Sequence, residues 1–365
     1  MIRVRHTDLH SFMKEVLIGV KVPEEHAEII ADVLIDADIK GIDSHGISRL
    51  KKIYYDRIKQ GIVNPETDIT IEKESLSSIL INGNNGMGHV VSQFSLLRGI
   101  EKAKEGGSCM VAVKDSSHYG IAGYYTDLAT ARDCICITGT NARPSVSPIH
   151  GIEGMMGTNP LTIGIPTDED FNFNIDCATS IAQRGKVEYM AREGRELPDN
   201  WVKDSNGKPV TNPYNALKML REGDASFVPL GGTDESSGGH KGYGYTASVE
   251  ILSAAFQNGP FLKMLNGMNE KGEPVPYHLG HFFIIIDPSH LIDIDLFKNT
   301  AGNILRQLRN SAAVKGERIY TPGEKEYYTS LERKKNGIPI TDNLLEEMKS
   351  MDEECGLGKI DSIVN

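Results

Sequence analysis

Two histidine-containing turns are the part of this chain best suited to chemistry. They read DSHG at residues 43–46 and DSSHYG at residues 115–120. Each turn places an imidazole beside hydroxyl groups and glycines at a point where the hydrophobic pattern breaks. The unperturbed pKa of histidine lies near neutrality, so His45 and His118 are candidates for general acid–base work. Two such turns in one chain predict the two halves of a proton-transfer site.

The first turn also offers a place for a carboxylate. His45 is predicted to lie in the first turn of a helix capped by Asp43 or Ser44, where the helix dipole keeps the imidazole neutral. Arg49 follows four residues later and therefore shares that helix face. An exposed helix N-terminus beside a guanidinium favours binding of a carboxylate. The alternative for this turn is a plain cap with a surface histidine.

His118 and a glycine-rich run at 238–244 are further candidates for the site. His118 follows the apolar run 111–113 and is predicted to lie just past the end of a strand, where sites gather in open sheets. The alternative is a ring that hydrogen-bonds to its own loop. The run GGHKGYG at 238–244 leads into a predicted helix and resembles a pyrophosphate cradle, with charge supplied by Lys241. A flexible hinge has the same composition.

The composition and the missing motifs limit the function classes. The chain has 365 residues, 39% apolar and 24% charged, which fits a soluble globular protein of one large domain or two. Its formal charge of −11 argues against a nucleic-acid partner. No apolar run is long enough to span a membrane, and no secretory signal precedes the first helix. The chain lacks five patterns that mark common sites: GxGxxG after a first strand, GxxxxGK[ST], HExxH, GxSxG and cysteines at metal-binding spacing. Neither a Rossmann-type nucleotide site nor a metal site is therefore predicted.

The five cysteines form no CxxC pair. Reduced thiols and a cytoplasmic location fit this pattern best.

The hydrophobic pattern predicts helices at both ends of the chain and a sheet between them. A helical hairpin begins at 23–25, turns after Gly41 and ends at Gly61, so that its connection carries the first histidine turn. Predicted strands follow at Ile79–Ile81, Met110–Val113, Cys134–Thr138, Leu161–Ile165, Phe171–Ile175 and His281–Asp287. The close spacing around 166–170 predicts a hairpin and hence a mixed sheet. We expect a discontinuous helical domain at 1–74 and 289–365 around a central domain at 75–288.

Two stretches do not fit this pattern. Residues 196–212 are polar and rich in turn formers, which predicts a surface excursion. Residues 261–276 have no role that the sequence assigns.

Taken together, the motifs resemble the type 2 malate/L-lactate dehydrogenase family, a non-Rossmann group that includes ureidoglycolate, sulfolactate and diketogulonate oxidoreductases. The resemblance runs in order through nearly the whole chain and is greatest to members labelled malate dehydrogenase. It rests on DSHGISR (43–49), SSHYGIAGYY (116–125), GTNP (157–160), DCATS (176–180), GGHKGYG (238–244), GHFFIIIDP (280–288) and PGE (322–324).

The resemblance implies an α+β fold in which a central mixed, largely antiparallel sheet domain binds the dinucleotide and a helical outer domain flanks it. It also implies a homodimer with active sites near the subunit interface. In the implied chemistry either His45 or His118 carries the proton, Arg49 holds the substrate carboxylate, and Ser44 or Ser117 steadies an imidazole. The dinucleotide contacts that it implies are Asp176, Ala178, Thr179, Ser180, His240, Lys241, Pro322, Gly323 and Glu324.

The predicted function is hydride transfer between NAD(P) and C2 of a small 2-hydroxy or 2-oxo acid, with malate and oxaloacetate as the first pair. NAD is the expected cofactor, but Arg184, an added charge after DCATS, leaves NADP open. The alternative enzyme is an NADPH-dependent reductase of a cyclic imino acid or another 2-oxo acid. A catalytically silent nucleotide-binding protein is the alternative outside the enzymes, and the intact set of His45, His118 and Arg49 argues against it.

Overall fold

The computed structural model describes residues 2–364 as a central sheet with helices around it. The helices are α1 (His6–Gly19), α2 (Glu24–Ile39), α3 (Ile47–Arg49), α4 (Asp56–Lys59), α5 (Gly88–Gly106), α6 (Ala122–Thr130), α7 (Arg184–Arg192), α8 (Pro213–Glu222), α9 (Gly239–Ala254), α10 (Ile294–Arg309), α11 (Glu324–Asn336), α12 (Asp342–Cys355) and α13 (Ile360–Val364). A π-helical segment, Leu50–Tyr55, joins α3 to α4. Short 3-10 helices lie at Leu262–Leu265 and Pro288–His290.

The strands are β1 (Ile2–Val4), β2 (Thr70–Glu74), β3 (Ser78–Asn82), β4 (Ser108–Ser116), β5 (Ile135–Thr140), β6 (Leu161–Ile165), β7 (Phe173–Cys177), β8 (Val202–Asp204), β9 (Ala225–Phe227), β10 (Leu279–Ile286) and β11 (Ile338–Ile340). Each of the six strands predicted from the sequence is present, with ends that differ by a few residues. β1, β2, β8, β9 and β11 were not predicted, because four of them are short and β2 is exposed along its length.

The central sheet has seven strands in the order β2-β3-β4-β10-β5-β6-β7. The β3–β4 pair is parallel, and the other neighbouring pairs are antiparallel. The prediction of a mixed, largely antiparallel sheet that is not a standard Rossmann fold is confirmed. β6 and β7 form the predicted hairpin.

β10 lies in the middle of this sheet, which explains its continuous apolar run. Helix α5 contacts it on the way from β3 to β4, and α9 also packs on it. Phe282, Phe283 and Ile285 are fully buried there. A parallel neighbour requires a crossover connection, and α5 supplies it between β3 and β4. β4 then ends at Ser116, directly before the second histidine turn.

A second core joins the two ends of the chain. Buried side chains of α1 and α2 pack with those of α12, and β1 pairs with β11 antiparallel. β2, which the predicted division places in the outer domain, pairs with β3 in the central sheet. Arg306 of α10 forms an ion pair with Asp168 in the β6–β7 hairpin. The division into a domain at 1–74 and 289–365 and a domain at 75–288 stays a prediction.

The prediction for residues 196–212 is wrong in part. This stretch contributes β8, which pairs with β9, and its Leu197 and Val202 are buried in a small core shared with α7 and α8. The polar residues of this stretch form its turns, while a few apolar residues between them pack into the core.

Residues 261–276 form a 3-10 turn and a loop that ends beside α4. The Arg57 guanidinium lies 4.2 Å from the ring centroid of Tyr277 and donates to the carbonyl of Val275. Among residues 2–364, no helix combines the length and apolar character needed to cross a lipid bilayer.

The core that joins the two ends predicts a specific loss of stability. Met348 of α12 is 0% exposed, whereas Met264 is 63% exposed. We expect Met348→Ala to lower the free energy of unfolding by about 2–5 kcal/mol, because it leaves a cavity. Met264→Ala is the matched control and should change it by about 0.5 kcal/mol or less. Urea unfolding measures both, and equal effects would contradict a shared core.

Candidate active site

The structure brings the two predicted histidine turns together. The ring centroids of His45 and His118 lie 5.8 Å apart, and their planes differ by 24°. His45 stands in the turn between α2 and α3, and His118 stands between β4 and α6. Both rings are half-buried. The pair therefore forms one site, as an acid–base centre requires.

The first turn is held differently from the prediction. Helix α3 begins at Ile47, so His45 precedes the helix rather than lying in its first turn. The Ile47 amide donates to Oδ2 of Asp38 at 2.8 Å, so the buried Asp38 of α2 does the capping expected of Asp43 or Ser44. That prediction is wrong because the turn is longer than a minimal cap. Asp43 instead forms an ion pair with Arg333.

A glycine is required between His45 and the helix. A Cβ placed on Gly46 would lie 1.9 Å from Oδ1 of Asp38, too close for any side chain. Burial raises the pKa of Asp38 to about 8, so this carboxyl is largely protonated at neutral pH. The histidine turn therefore packs directly on an uncharged carboxyl group.

The surroundings of His45 favour the neutral imidazole. Burial, and secondly the charge of Arg49, lower the pKa of His45 to about 4. The sequence predicted a neutral ring from the helix dipole, whereas the cause here is burial. Oγ of Ser44 lies 2.9 Å from Nδ1 of His45, in the position expected of a residue that steadies the ring.

Arg49 presents part of its guanidinium to the site. Its Nε donates to the carbonyl of Ser44, and no hydrogen bond joins Nη1 or Nη2 to any residue in the described part of the chain. Gly185 of α7 packs against this side, where an added Cβ would lie 3.1 Å from Nη2. A forked pair of N–H donors beside two imidazoles is suited to a carboxylate.

Nδ1 of His118 has two neighbours. The Gly120 amide donates to it at 3.2 Å, and the Tyr54 hydroxyl lies 2.6 Å away. Burial, followed by the neighbouring rings of His45 and His89, holds the pKa of His118 well below its usual value. Ser117 does not reach either ring, since its hydroxyl donates to the Gly86 carbonyl.

Tyr54 reaches the site because the helix widens. In an α-helix, residues five apart differ by about 140° around the axis, which would point Arg49 and Tyr54 away from each other. The π-helical segment has an i→i+5 pattern, which turns Tyr54 back toward the side of Arg49. Tyr54 is absent from the site predicted from the sequence. A buried tyrosine hydroxyl that needs a partner was the one signal of its role.

Two more buried histidines lie behind the pair. His281 is held between the hydroxyls of Thr140 at 2.7 Å and Ser116 at 2.8 Å. His89 is fully buried, and neither of its ring nitrogens has a partner among the described residues. Its ring lies edge-on to Tyr54 at 4.7 Å. Burial lowers the pKa of both histidines to about 3. A lone histidine inside an apolar helix or strand gives no sequence signal of such a cluster.

A cavity of about 240 Å³ adjoins the two turns. Ile42, directly before the first turn, and Ile121, directly after the second, line it, together with two of the predicted dinucleotide contacts, Asp176 and Gly323. Asp176 accepts hydrogen bonds from the Gly123 amide at 2.7 Å and from the Thr162 hydroxyl. His45, His118 and Arg49 do not line this cavity, which lies beside their turns at the β7 edge of the central sheet.

Oxygen acceptors dominate the polar lining of this cavity. They belong to Asp127, Asn174, Asp176 and Glu326. Oδ1 of Asn174 is buried and has no hydrogen-bond partner among residues 2–364, while its Nδ2 donates to Asp127 at 2.7 Å. The cation in the lining, Lys40, is held by Asp36 and Asp127. The cavity therefore suits a ligand that brings hydroxyl or amino donors.

The other residues of DCATS and PGE hold the chain in place. The Thr179 hydroxyl donates to the Asn159 carbonyl at 2.9 Å, and the Ser180 hydroxyl donates to that of Ala182 at 2.8 Å. Ala178, between Asp176 and these two, is half-buried. In PGE, the Pro322 carbonyl accepts from the Asn174 amide, and the buried Glu324 carboxylate accepts from Arg318 and Thr321.

The glycine-rich run at 238–244 is not a loop. Helix α9 begins at Gly239, so the run forms its first turns, and the prediction that the helix starts after it is wrong. The main-chain amide of Gly239 donates to the Asp234 carbonyl, and that of Lys241 donates to the Gly238 carbonyl. These two amides bind their own loop. The side chains of His240 and Lys241 are exposed and do not line the cavity.

Comparison with known proteins shows the family of this chain. Residues 4–349 match the model of the malate/L-lactate dehydrogenase family. The chain belongs to that family. A malate dehydrogenase from Pyrococcus horikoshii is 40% identical over 98% of this chain and 96% of its own length. An L-sulfolactate dehydrogenase from Methanothermobacter thermautotrophicus is 37% identical over 94% and 95%.

A solved structure shows the same fold. The crystal structure of malate dehydrogenase from Entamoeba histolytica superposes with a TM-score of 0.94 at 42% identity, covering 97% of this chain and 98% of that one. This member of the malate/L-lactate dehydrogenase family therefore keeps the α+β fold that its motifs predicted.

The unpaired His89 predicts acid sensitivity. Its pKa of about 3 in the folded protein lies below its unfolded value of about 6.5, so the unfolded chain binds more protons between these pH values. Above pH ~6.5 this histidine does not lower the free energy of unfolding. Below that pH it lowers the free energy of unfolding by about 1.4 kcal/mol per pH unit. Urea unfolding measures how far the free energy of unfolding drops from pH 7.5 to pH 4.5. We expect this drop to be about 2–3 kcal/mol smaller in His89→Phe than in the parent protein.

His150→Phe, at an exposed histidine, is the matched control and should keep the pH dependence of the parent. An unchanged pH dependence in His89→Phe would show that the ring is not kept neutral by burial.

Proposed function

We propose that this protein catalyses reversible hydride transfer between a nicotinamide cofactor and C2 of a small 2-hydroxy or 2-oxo acid. The observation that carries the proposal is the pair of half-buried imidazoles, 5.8 Å apart, beside an arginine whose Nη groups have no partner in the described structure. The pair supplies proton transfer, and the arginine supplies carboxylate binding. Both needs arise together in a 2-hydroxy acid dehydrogenase.

The residues take the following roles in the proposal. Arg49 binds the C1 carboxylate through its Nη groups and sets C2 beside the two rings. His45 and His118 face the C2 oxygen, and a neutral imidazole accepts the hydroxyl proton during oxidation and returns it during reduction. Ser44 holds the His45 ring through Nδ1. When bound, the nicotinamide accepts or supplies the hydride.

Malate and oxaloacetate are the proposed substrate pair. The relatives named for malate and for sulfolactate act on 2-hydroxy acids that carry a second acidic group. Arg184, which begins α7, lies next to the Gly185 that contacts Arg49. Nε of Arg184 forms an ion pair with Glu188 at 3.2 Å, which offsets its charge, so the proposal of a dianionic substrate rests on these relatives.

The cavity fits the dinucleotide by its chemistry. Ribose hydroxyls and the amino groups of adenine and carboxamide are donors, and the cavity lining includes the carboxylates of Asp127, Asp176 and Glu326. We assign Asp176 and Gly323 to its wall, with Ala178, Thr179, Ser180, Pro322 and Glu324 shaping the backbone around it. His240 and Lys241, exposed at the start of α9, stay proposed contacts for the pyrophosphate.

NAD is the proposed cofactor, with NADP as the alternative. Asp127, Asp176 and Glu326 line the cavity, while its Lys40 is already paired with two carboxylates. A 2′-phosphate would bring about two further negative charges into this lining, which repels them.

We also propose a homodimer in the cytoplasm. An apolar groove beside α9, lined by residues such as Tyr243, Ile251 and Phe261, offers a face that a second copy can cover. Each of the five cysteines is free, in agreement with a reducing compartment.

The first experiment supplies oxaloacetate and follows absorbance of the reduced nicotinamide, with NADH and NADPH in separate runs. We expect rapid oxidation with NADH and a higher KM with NADPH, since the cavity is acidic. If circular dichroism shows that the protein is folded and neither cofactor is oxidised, the result contradicts the malate proposal. Activity with NADPH and a cyclic imine alone would instead support the imino acid reductase.

Substitutions at the site test the assigned roles. His45→Asn and His118→Asn should each lower kcat by about 100-fold or more, since each removes a group at the C2 oxygen. Arg49→Lys should raise KM for oxaloacetate by about 10- to 100-fold, because a lysine cannot make the forked contact. Arg5→Lys, at an arginine whose side chain is 80% exposed, is the matched control and should leave KM unchanged.

A further inference from the structure

We propose that Tyr54 is a positioning residue that fixes His118 in the tautomer with its proton on Nε2. His118 then donates a hydrogen bond to the C2 oxygen in both directions of the reaction, and His45 is the histidine that carries the proton. This inference rests on the proposed function. It assigns different roles to His45 and His118, which the sequence could not distinguish.

The Gly120 amide shows which tautomer His118 adopts, and the Tyr54 hydroxyl, at the shorter distance, holds the ring in it. A main-chain N–H can only donate, and the Gly120 amide donates to Nδ1 of His118 at 3.2 Å. Nδ1 must therefore present its lone pair. The Tyr54 hydroxyl, 2.6 Å from the same atom, must then donate as well. The proton of the neutral ring is left on Nε2, the only other nitrogen.

Tyr54 is a dependable donor in this position. Its side chain is only 2% exposed, and burial raises the pKa of its hydroxyl far above the usual value. The hydroxyl consequently keeps its proton throughout the working pH range. The π-helical segment, rare in proteins and frequent at functional sites, is what brings this hydroxyl to His118.

His45 lacks such a lock. Its Nδ1 is 2.9 Å from Oγ of Ser44, and a serine hydroxyl can donate or accept. The ring can therefore keep this contact with the proton on Nδ1 and leave Nε2 free to take up another. During oxidation the hydroxyl proton goes to Nε2 of His45, which becomes imidazolium, while the proton on Nε2 of His118 stays in place. Reduction starts from the imidazolium form of His45, which gives its Nε2 proton to the C2 oxygen and becomes neutral.

The geometry of the pair favours one charge at most. The rings lie nearly parallel at 5.8 Å, with Arg49 already beside them. A second imidazolium in this half-buried space would face both. A donor that never changes its charge state, next to one proton carrier, avoids that repulsion.

The test is nitrogen NMR on the full-length protein labelled with ¹⁵N-histidine, because the two ring nitrogens resonate differently with and without a proton. Loss of one signal set in His118→Asn assigns the ring. We expect a bare Nδ1, a protonated Nε2 and no titration from pH 6 to 8. A proton on Nδ1 of His118, or a charged ring in this range, overturns the proposal.

Tyr54→Phe and Tyr55→Phe form a matched pair. Tyr55 is the neighbouring buried tyrosine, but its hydroxyl donates to Glu354 at 3.0 Å, away from the site. Tyr54→Phe should add the second tautomer to the His118 spectrum and lower kcat by about tenfold at unchanged KM, since one hydrogen bond is lost. Tyr55→Phe should leave both the spectrum and kcat as they were. An unchanged spectrum in Tyr54→Phe refutes the lock.

The spectrum is read without turnover, so the two proposals fail separately. Inactive protein with the expected His118 tautomer refutes only the proposed function. Active protein with the other tautomer refutes only this inference.

Discussion

The proposed active site depends on keeping two imidazoles uncharged side by side. Taking a charged ring out of water is costly, and a second charge at 5.8 Å adds repulsion to that cost. Burial accordingly lowers the pKa of both His45 and His118, with Arg49 adding to the effect. A neutral ring at working pH can accept a proton at one nitrogen and donate a hydrogen bond from the other, whereas an imidazolium can only donate. The surrounding structure can be understood as the means of holding this state.

Close backbone contacts are the main means. Gly46 lets the first turn pack on the buried carboxyl of Asp38, and the second turn lies directly on the start of α5. A Cβ on Gly88 would lie 2.2 Å from the Ser117 carbonyl, so the approach there is as close as at Gly46. The Ser117 hydroxyl accepts from the Gly88 amide and secures the contact. Two turns from distant parts of the sequence thus meet without room for water between them and their supports.

The sequence predicted the parts of this arrangement that have a local signal. The histidine turns, Arg49, the hairpin of β6 and β7 and the mixed sheet each have a spacing or a turn composition that marks them, and the structure contains them. The helix start was misplaced, because its cap comes from Asp38 in the preceding helix rather than from the turn. Tyr54 was missed because it reaches His118 only through a π-helical segment, which has no pattern in one sequence.

The cavity lining was missed for a related reason. Asp176 and Gly323 were found through the family resemblance, while Lys40, Asp127 and Asn174 meet them only in the folded chain. Lys40 directly follows α2, Asp127 lies within α6 and Asn174 lies in β7, so each has an ordinary place in its own element. Tertiary placement, rather than residue type, gives them a function.

His89 shows what the site costs the fold. A buried histidine without a hydrogen-bond partner contributes no polar stabilisation, and every step below its unfolded pKa favours the unfolded chain. A phenylalanine would fill the same space without that penalty. The ring does, however, contribute to lowering the pKa of His118 and lies edge-on to Tyr54, the residue that holds His118. The expected acid sensitivity is therefore tied to the same electrostatic condition on which the proposed proton transfer depends. It is a stability penalty located at the candidate site rather than spread through the core.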